Sequence, residues 1–286
     1  MAGSQIRFCP LASGSSGNLT FVATERTRLL VDCGTSAKEA VARLASVGCL
    51  PSQLDGILIT HAHYDHYRSA GTLHARFGVP VHVDPSTAAS LARRGLRSSW
   101  RRIREHRPIP PRIGDIDIEA LDTSHGFPPH EGRTVCYRLS RGDRSVAVVT
   151  DLGTCDERLL RRLRGVDAIV LEANYDERTL QRKLGDPSFA RDWQYLSWVR
   201  GSHGHLSNRQ CAEALAAIVQ SAGCDVFLGH SSENHHNPFK DNNDYQLAAQ
   251  EVARLFASER LPLPRLHRAP RIGREPARPG PCLEIG

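Results

Sequence analysis

The sequence of 286 residues is notable first for what it lacks. No apolar run approaches the about 20 residues that a helix needs to span a bilayer. The segment 1–9 has no basic start followed by an apolar stretch, so it does not resemble a secretion signal. These absences argue against a membrane protein and lead us to expect a cytoplasmic location.

Paired cysteines are also absent, because the eight cysteines contain no CxxC motif and are scattered along the chain. A disulfide framework is not expected in a long chain without a secretion signal. Most of the cysteines stand in apolar runs, as Cys136 does, and are predicted to be buried reduced thiols. Hydrophobic residues make up 40% of the sequence and charged residues 24%, which is ordinary for a globular protein with one large core.

The positive charge of the chain is local. The net charge is +6, but the segment 93–112 alone holds eight arginines against the single acid Glu105. Local basic patches suit polyanionic partners such as nucleic acid, although a run of charge is often only a solvated helix face. Both interpretations stay open for these arginines.

The C-terminal segment 260–286 differs in composition from the rest of the chain. It holds six prolines and six arginines and shows little apolar periodicity. We therefore predict one domain over 1–259 and a disordered or loosely attached tail over 260–286.

Apolar periodicity and turn signals predict strands alternating with helices along the domain. Predicted strands lie at 6–9, 19–22, 28–32, 56–60, 116–121, 134–139, 145–150, 168–171 and 225–228. Predicted helices lie at 36–47, 67–77, 86–94, 156–163, 208–222 and 245–258. Hairpins with helices between and after them predict an α/β fold with two sheets and helices packed outside.

The strongest chemical signal is the run HAHYDH at residues 61–66, directly after a short apolar strand. His61 and His63 stand at positions i and i+2, so they project to the same side as the strand ends. Asp65 and His66 follow at the turn into a helix. Imidazole together with carboxylate is typical of sites for Zn²⁺ and similar metals, whereas magnesium sites rarely use histidine.

This HxHxDH run, preceded by Asp32 at a strand end, resembles the metallo-β-lactamase superfamily. The resemblance implies a four-layer αββα sandwich and a hydrolase with two divalent metal ions, Zn²⁺ or alternatively Mn²⁺. Further family elements stand in order at the carboxyl ends of apolar strands, namely His125, Asp151 and His230.

The resemblance also implies a role for each of these residues. His61, His63 and His125 would hold the first metal, Asp65, His66 and His230 the second, and Asp151 both. Asp32 would orient a ligand histidine. Two such metals lower the pKa of a shared water toward neutrality, so that it attacks as a hydroxide that Asp65 can hydrogen-bond.

Two more motifs narrow the range of possible substrates. Glu172 closes a predicted strand and His205 stands just before a predicted helix, which resembles the acid–histidine pair of the tRNA 3′-processing nucleases of this fold. The resemblance implies that Glu172 orients His205 and that His205 protonates the leaving oxygen. A strand-end ion pair for Glu172 and a polar helix start for His205 remain the alternative.

Over residues 6–245 the chain most resembles the YycJ/WalJ-like branch, described as bacterial 5′→3′ DNA exonucleases. The Ser/Gly-rich loop 13–18 carries part of this resemblance, and its residues Ser15 and Asn18 are candidate substrate contacts. Arg97 and Arg101 are candidate phosphate contacts, with Trp100 as a base-stacking ring.

The short spacing between His125 and Asp151 disfavours tRNA maturation, because it leaves no room for the tRNA-clamping arm of those relatives. A small-molecule or cyclic-nucleotide phosphodiesterase and a thioester or lactone hydrolase of the same fold remain alternatives, as does a nucleic-acid-binding protein of weak activity. Oligomeric state stays open.

Overall fold

The structure is a computed structural model that describes residues 5–93, 99–103, 105–126, 131–232, 243–272 and 281–286. The chain divides into two compact units. Unit 1 comprises Met1–Asp122, Phe127–Val148 and Ala269–Gly286, and unit 2 comprises Thr123–Gly126 and Val149–Arg268. Among the residues so described, no helix has the length and apolar character needed to cross a bilayer.

Unit 1 contains a seven-stranded sheet in the order β14-β1-β2-β3-β4-β5-β6. Its strands are β1 (Ile6–Ala12), β2 (Leu19–Ala23), β3 (Arg28–Val31), β4 (Gly56–Leu58), β5 (Val81–His82), β6 (His106–Arg107) and β14 (Leu283–Ile285). The β14, β1, β2 and β3 strands pair antiparallel, whereas β3 through β6 pair parallel. The carboxyl ends of β3 and β4 therefore meet at one edge of the sheet.

Helices of unit 1 cover this sheet and share a buried apolar core with it. They are α1 (Ala37–Ser46), α2 (Tyr64–Tyr67), α3 (Ala70–Phe77) and α4 (Pro85–Arg93), with 3₁₀ turns at Pro51–Gln53 and Ser99–Arg102. The Ser36 side chain accepts a hydrogen bond from the Glu39 amide and so begins α1 as predicted. Gly78, with a left-handed φ of 73°, ends α3.

Four further strands of unit 1 pair antiparallel in sequence order. They are β7 (Arg112–Ile113), β8 (Ile116–Asp122), β9 (Val135–Arg141) and β10 (Arg144–Val149). The Tyr137 hydroxyl of β9 donates to the Ile59 carbonyl at 2.8 Å, just before the HxHxDH run. This bond holds the strand end from which the histidines emerge.

Unit 2 contains three parallel strands, β11 (Ala168–Glu172), β12 (Asp225–Gly229) and β13 (Arg265–Arg268). Its helices are α5 (Glu157–Leu163), α6 (Glu177–Leu184), α7 (Trp193–Val199), α8 (Asn208–Ile218) and α9 (Tyr245–Ser258), with a 3₁₀ turn at Pro187–Asp192. All five residues of β11 and all five of β12 are buried, as their apolar sequences predict.

The C-terminal segment departs from the predicted disorder wherever the structure describes it. β13 pairs with β12 and β14 pairs with β1. Within the segment 260–286, residues 273–280 lie outside the described residues. Two buried contacts hold the chain between these strands, since the Ser13 amide donates to the Pro270 carbonyl at 2.9 Å and Arg43 donates to the Arg271 carbonyl at 3.3 Å. These contacts satisfy backbone groups that low periodicity alone suggested were solvated.

One cysteine pair also departs from the expectation of reduced thiols. Cys9 in β1 and Cys282 just before β14 form a disulfide, with their Cα atoms 4.3 Å apart. The other six cysteines are free, and five of them are buried. The disulfide is therefore a second link, beside strand pairing, between the C-terminus and unit 1.

Candidate functional site

The HxHxDH run of unit 1 lies between the end of β4 and α2. Its three imidazoles are close together, with ring centroids 4.5 Å apart for His61 and His63 and 4.1 Å apart for His61 and His66. The Asp65 carboxylate lies 3.5 Å from Nε2 of His66. The structure thus brings together within unit 1 the four donors that the motif predicts.

The Asp32 carboxylate orients the His66 ring by contacting its Nδ1 atom. Its Oδ2 atom lies 2.7 Å from Nδ1 of His66, and its Oδ1 atom accepts from the Thr60 amide at 2.9 Å. Burial raises the pKa of Asp32, and the contact with His66 opposes that effect. Nδ1 of His66 thus faces Asp32, and Nε2 faces Asp65 at 3.5 Å, which is the arrangement expected of an orienting carboxylate behind a ligand histidine.

The predicted substrate contacts take different positions. Asn18 is buried, and its amide nitrogen lies 2.9 Å from Nε2 of His66 and 3.4 Å from Oδ2 of Asp65, beside the candidate ligands. Ser15 and Arg101 are exposed. Arg97 lies outside the described residues, and these four substrate contacts stay predictions.

Unit 2 holds a second cluster of donors. Ligand atoms of Asp151, Glu172, His205 and His230 all lie within 4.8 Å of one another. Nε2 of His230 lies 3.1 Å and Nε2 of His125 lies 3.6 Å from Oδ1 of Asp151. The structure therefore places His125, Asp151 and His230 together, as the strand-end motifs predict.

His125 is oriented by the backbone. Its Nδ1 atom donates to the Gly204 carbonyl at 2.7 Å, which turns Nε2 toward Asp151. The Gly204 position admits no side chain, since an added Cβ would lie 2.2 Å from the Trp198 carbonyl oxygen. This close approach explains why the loop before His205 carries glycine.

Glu172, at the end of β11, is fully buried and organises the acid–histidine pair. Its Oε2 atom lies 3.1 Å from Nδ1 of His205, and its Oε1 atom accepts from the Leu206 amide at 2.8 Å. The same carboxylate accepts from the Asp151 and Leu152 amides, each at 3.1 Å. Glu172 thus fixes the bridging candidate Asp151 as well as His205, a second role that its motif did not suggest.

Strained backbone marks the predicted strand-end residues. Asp32, Asp151 and His230 have φ values of 62°, 61° and 49°. Among the described residues, the only other non-glycine residue with positive φ is Arg260. Left-handed conformations of such residues cost energy and cluster at functional sites, so the backbone independently singles out three of the predicted positions.

A buried amide network behind His230 was missed from the sequence. The Asn174 side chain donates to the His230 carbonyl at 2.7 Å. Asn243 donates to the Ala173 carbonyl at 2.6 Å and exchanges hydrogen bonds of 2.8 and 2.7 Å with Asn208. The only signal was the density of asparagines near the His230 and His205 motifs.

Glu131 was also missed. Its Oε2 atom lies 3.1 Å from Nε2 of His63, so a carboxylate faces the nitrogen that would bind a metal. Nothing in its sequence context distinguishes it from a solvated acid.

The prediction about one aromatic ring is wrong. Trp100, the candidate base-stacking ring, is 6% exposed and packs against Tyr67 and His106. Trp193 and Tyr195, by contrast, are 56% and 53% exposed. The reason is that α7 is a short surface helix, which buries only Leu196 and Val199 completely.

The donor set fits divalent metals of intermediate hardness. Imidazole nitrogens predominate, carboxylates accompany them, and the opposite nitrogens of His66 and His125 are already hydrogen-bonded. The nearby thiol is not a nucleophile at neutral pH, because burial and then the charge of Glu172 raise the pKa of Cys155 to about 12.

A family model described as the beta-lactamase superfamily domain matches residues 27–223. The chain belongs to the metallo-β-lactamase superfamily. The seven-stranded sheet of unit 1, the further strands of both units and their helices agree with this assignment, so the predicted α/β fold and the class of metal-dependent hydrolase are confirmed.

The exodeoxyribonuclease WalJ of Streptococcus pneumoniae is 31% identical over 89% of this chain and 90% of its own length. The exodeoxyribonuclease YycJ of Bacillus anthracis is 27% identical over 88% of this chain and 89% of its own. The crystal structure of the metallo-β-lactamase fold protein YhfI from Bacillus subtilis superposes with a TM-score of 0.67 at 14% identity, covering 99% of this chain and 100% of the other. The predicted membership of the YycJ/WalJ-like branch is therefore confirmed.

Proposed function

We propose that this metallo-β-lactamase hydrolase is a nuclease that cleaves phosphodiester bonds of DNA, most specifically as a 5′→3′ exonuclease. The observation that carries the proposal is the Glu172–His205 pair beside Asp151 and His230. An acid–histidine pair serves a reaction whose leaving group needs a proton, as the sugar hydroxyl of a nucleic acid does. The similarity to exodeoxyribonucleases over most of the chain supports the same substrate.

The ligand assignment follows the sequence motifs. We propose that His61, His63 and His125 hold one divalent ion, that Asp65, His66 and His230 hold a second, and that Asp151 binds both. Zn²⁺ fits this donor set, and Mn²⁺ is the alternative. When bound, the two ions supply an activated water and neutralise charge on the phosphate.

The remaining catalytic and positioning roles belong to side chains of the protein. Asp65 accepts a hydrogen bond from the attacking water and so orients it. His205 donates a proton from Nε2 to the leaving oxygen, while Glu172 holds its Nδ1 atom at 3.1 Å. Trp198 packs edge-on against the His205 ring, with centroids 5.4 Å apart, and so helps to hold the orientation of the imidazole.

Exposed arginines supply the charge for a polyanion. Arg158, Arg161, Arg162 and Arg164, on α5 and at its end, are all exposed. Arg101 is exposed in unit 1. Such residues can contact phosphates without reading the base sequence, which suits a nuclease that acts without sequence preference.

The test is degradation of oligonucleotides labelled at the 5′ or the 3′ end, with Zn²⁺ or Mn²⁺ added to the metal-stripped protein. We expect degradation from the 5′ end that does not depend on Mg²⁺ and is lost in Asp65→Ala. Single-stranded RNA, a thioester and a lactone serve as competing substrates. Full activity of Asp65→Ala would refute the mechanism, and faster turnover of the thioester would refute the substrate class.

A further inference from the structure

The helix α7 exposes large aromatic rings to solvent. It has only seven residues, yet Trp193 and Tyr195 on it are more than half exposed. Large exposed rings concentrated on one short helix exceed what isolated surface residues explain, and they suggest a surface that is covered by a ligand.

A chain of ring contacts leads from this surface to the candidate general acid. Tyr195 and Trp198 are three residues apart and share one face of α7, with centroids 6.0 Å apart and planes inclined by 30°. Trp198 in turn contacts His205 at 5.4 Å and His125 at 5.6 Å. The exposed ring and the half-buried one therefore form a track that ends at His205.

The charge beside the track suits a nucleic acid rather than an apolar protein surface. Arg191 and Arg200 flank α7 on either side and are both exposed. Aromatic rings interleaved with cations are typical of surfaces that bind single strands, where the rings stack on bases and the cations follow phosphates.

We propose that Tyr195 and Trp198 form a base-stacking platform that leads a single strand of nucleic acid to His205. This inference rests on the proposed nuclease function and names the form of its substrate. Bases in a duplex are stacked on their own neighbours, so only an unpaired base can lie on the Tyr195 ring. The platform therefore selects single strands or frayed ends.

Trp193 is a matched control on the same helix. It is as exposed as Tyr195, at 56% against 53%. Its indole nitrogen donates to the Leu184 carbonyl at the end of α6, so the ring is held toward that helix. Residues two apart do not share a helix face, and Trp193 therefore lies off the track.

The experiment measures oligonucleotide binding to the full chain by fluorescence anisotropy, without added metal, and KM for degradation with metal. Stacking of one base on an aromatic ring predicts an about tenfold weaker binding and an about tenfold higher KM in Tyr195→Ala. Tyr195→Phe keeps the ring face and restores both values. Trp193→Ala changes them less than about twofold, since its ring lies off the track.

An oligonucleotide with abasic sites makes the test specific. Wild-type protein binds it more weakly than the same strand with bases, and Tyr195→Ala adds no further loss. An equal loss in Tyr195→Ala and Trp193→Ala, or a loss that persists on the abasic strand, would overturn the platform while the nuclease function stands. A wild-type protein that degrades no oligonucleotide would refute the function itself, and the platform with it.

Discussion

Two buried carboxylate–histidine pairs, one in each unit, share the same contact between a carboxylate oxygen and Nδ1 of the histidine, but their proposed roles differ. In unit 1, Asp32 lies 2.7 Å from Nδ1 of His66. In unit 2, Glu172 lies 3.1 Å from Nδ1 of His205. Each carboxylate also accepts backbone hydrogen bonds, so each imidazole is held in a fixed orientation by a fixed acceptor.

The pairs differ in what surrounds the opposite side of the imidazole. His66 is fully buried among donors, with His61 4.1 Å away by ring centroids and Asp65 at 3.5 Å. His205 is 7% exposed and is flanked by the Trp198 and His230 rings. Full burial among ligand groups fits the metal-ligand role proposed for His66. Packing against Trp198 at a slightly exposed position fits the proton transfer proposed for His205. The surroundings of each ring, rather than the carboxylate beside Nδ1, would distinguish the two proposed roles.

The largest expected difference between the pairs appears when each histidine is removed. His205→Ala should keep its metal but lower kcat on DNA by about 10²–10⁴-fold, the usual contribution of a general acid. His66→Ala should instead fail to retain a full complement of metal. Metal content by mass spectrometry, together with kcat, separates the two.

His203→Ala is the control, because His203 is an exposed imidazole only two positions from His205. It should leave kcat within about twofold, since surface substitutions rarely act at a distance. In His205→Ala, kcat on a p-nitrophenyl phosphodiester, whose leaving group needs no proton, should fall much less than kcat on DNA. Equal losses on both substrates would show that His205 is not the acid.

Much of this comparison could be predicted from sequence, because the sequence signals lie close to the elements that position the side chains. Strand periodicity located the strand ends, and the HxHxDH run with the family resemblance that it carries then assigned Asp32, His61, Asp151 and His230 at those ends. The acid–histidine pair was predicted from two short motifs. Each of these signals lies within about ten residues of the element that positions it.

Contacts between residues far apart in sequence could not be predicted. Asn174 reaches the His230 carbonyl across 56 residues, and Arg43 reaches the Arg271 carbonyl across 228. Neither contact leaves a periodic pattern. The polar helix α6 (Glu177–Leu184) and the two-residue strands β5 to β7 were missed for a related reason, since tertiary packing rather than propensity stabilises such short elements.

The two carboxylates should differ when each is replaced by its amide. Asp32→Asn should weaken metal affinity by about 10–100-fold, because His66 loses its orienting acceptor. Glu172→Gln should also lower the free energy of unfolding, by about 1–3 kcal/mol, since one amide cannot accept from the three backbone donors and the His205 ring. Chelator competition measures the first effect and urea unfolding the second.

Asp117→Asn is the control for both, because Asp117 forms a surface ion pair with Arg112. It should change the free energy of unfolding by less than about 1 kcal/mol, and the metal affinity by less than the factor that corresponds to the same free energy. A metal affinity unchanged in Asp32→Asn would mean that Asp32 serves folding alone, and the likeness between the two pairs would then be one of geometry only.

A third carboxylate–histidine pair, at the other end of β12, should have the smallest effect and none on catalysis. Oδ1 of Asp225 lies 2.7 Å from Nε2 of His267, and Arg265 donates to the same carboxylate. Burial alone would raise the pKa of Asp225, but the hydrogen bonds from Arg265 and His267 outweigh it and leave the pKa below its ordinary value. The pair therefore stabilises β13 against β12 while Asp225 is ionised.

A lowered pKa in the folded state means that the stabilisation is complete above the unfolded value near 3.8 and is lost as the pH falls through the folded value. Asp225→Asn should accordingly cost about 1 kcal/mol in free energy of unfolding at pH 7, and wild type and variant should converge only as the pH falls below 3.8 toward the lower folded pKa. Urea unfolding from pH 7 down to about pH 2 measures the convergence. A cost that does not change with pH would assign the effect to packing. A loss of kcat in Asp225→Asn would instead give a catalytic role to a carboxylate–histidine pair that lies away from the candidate metal donors.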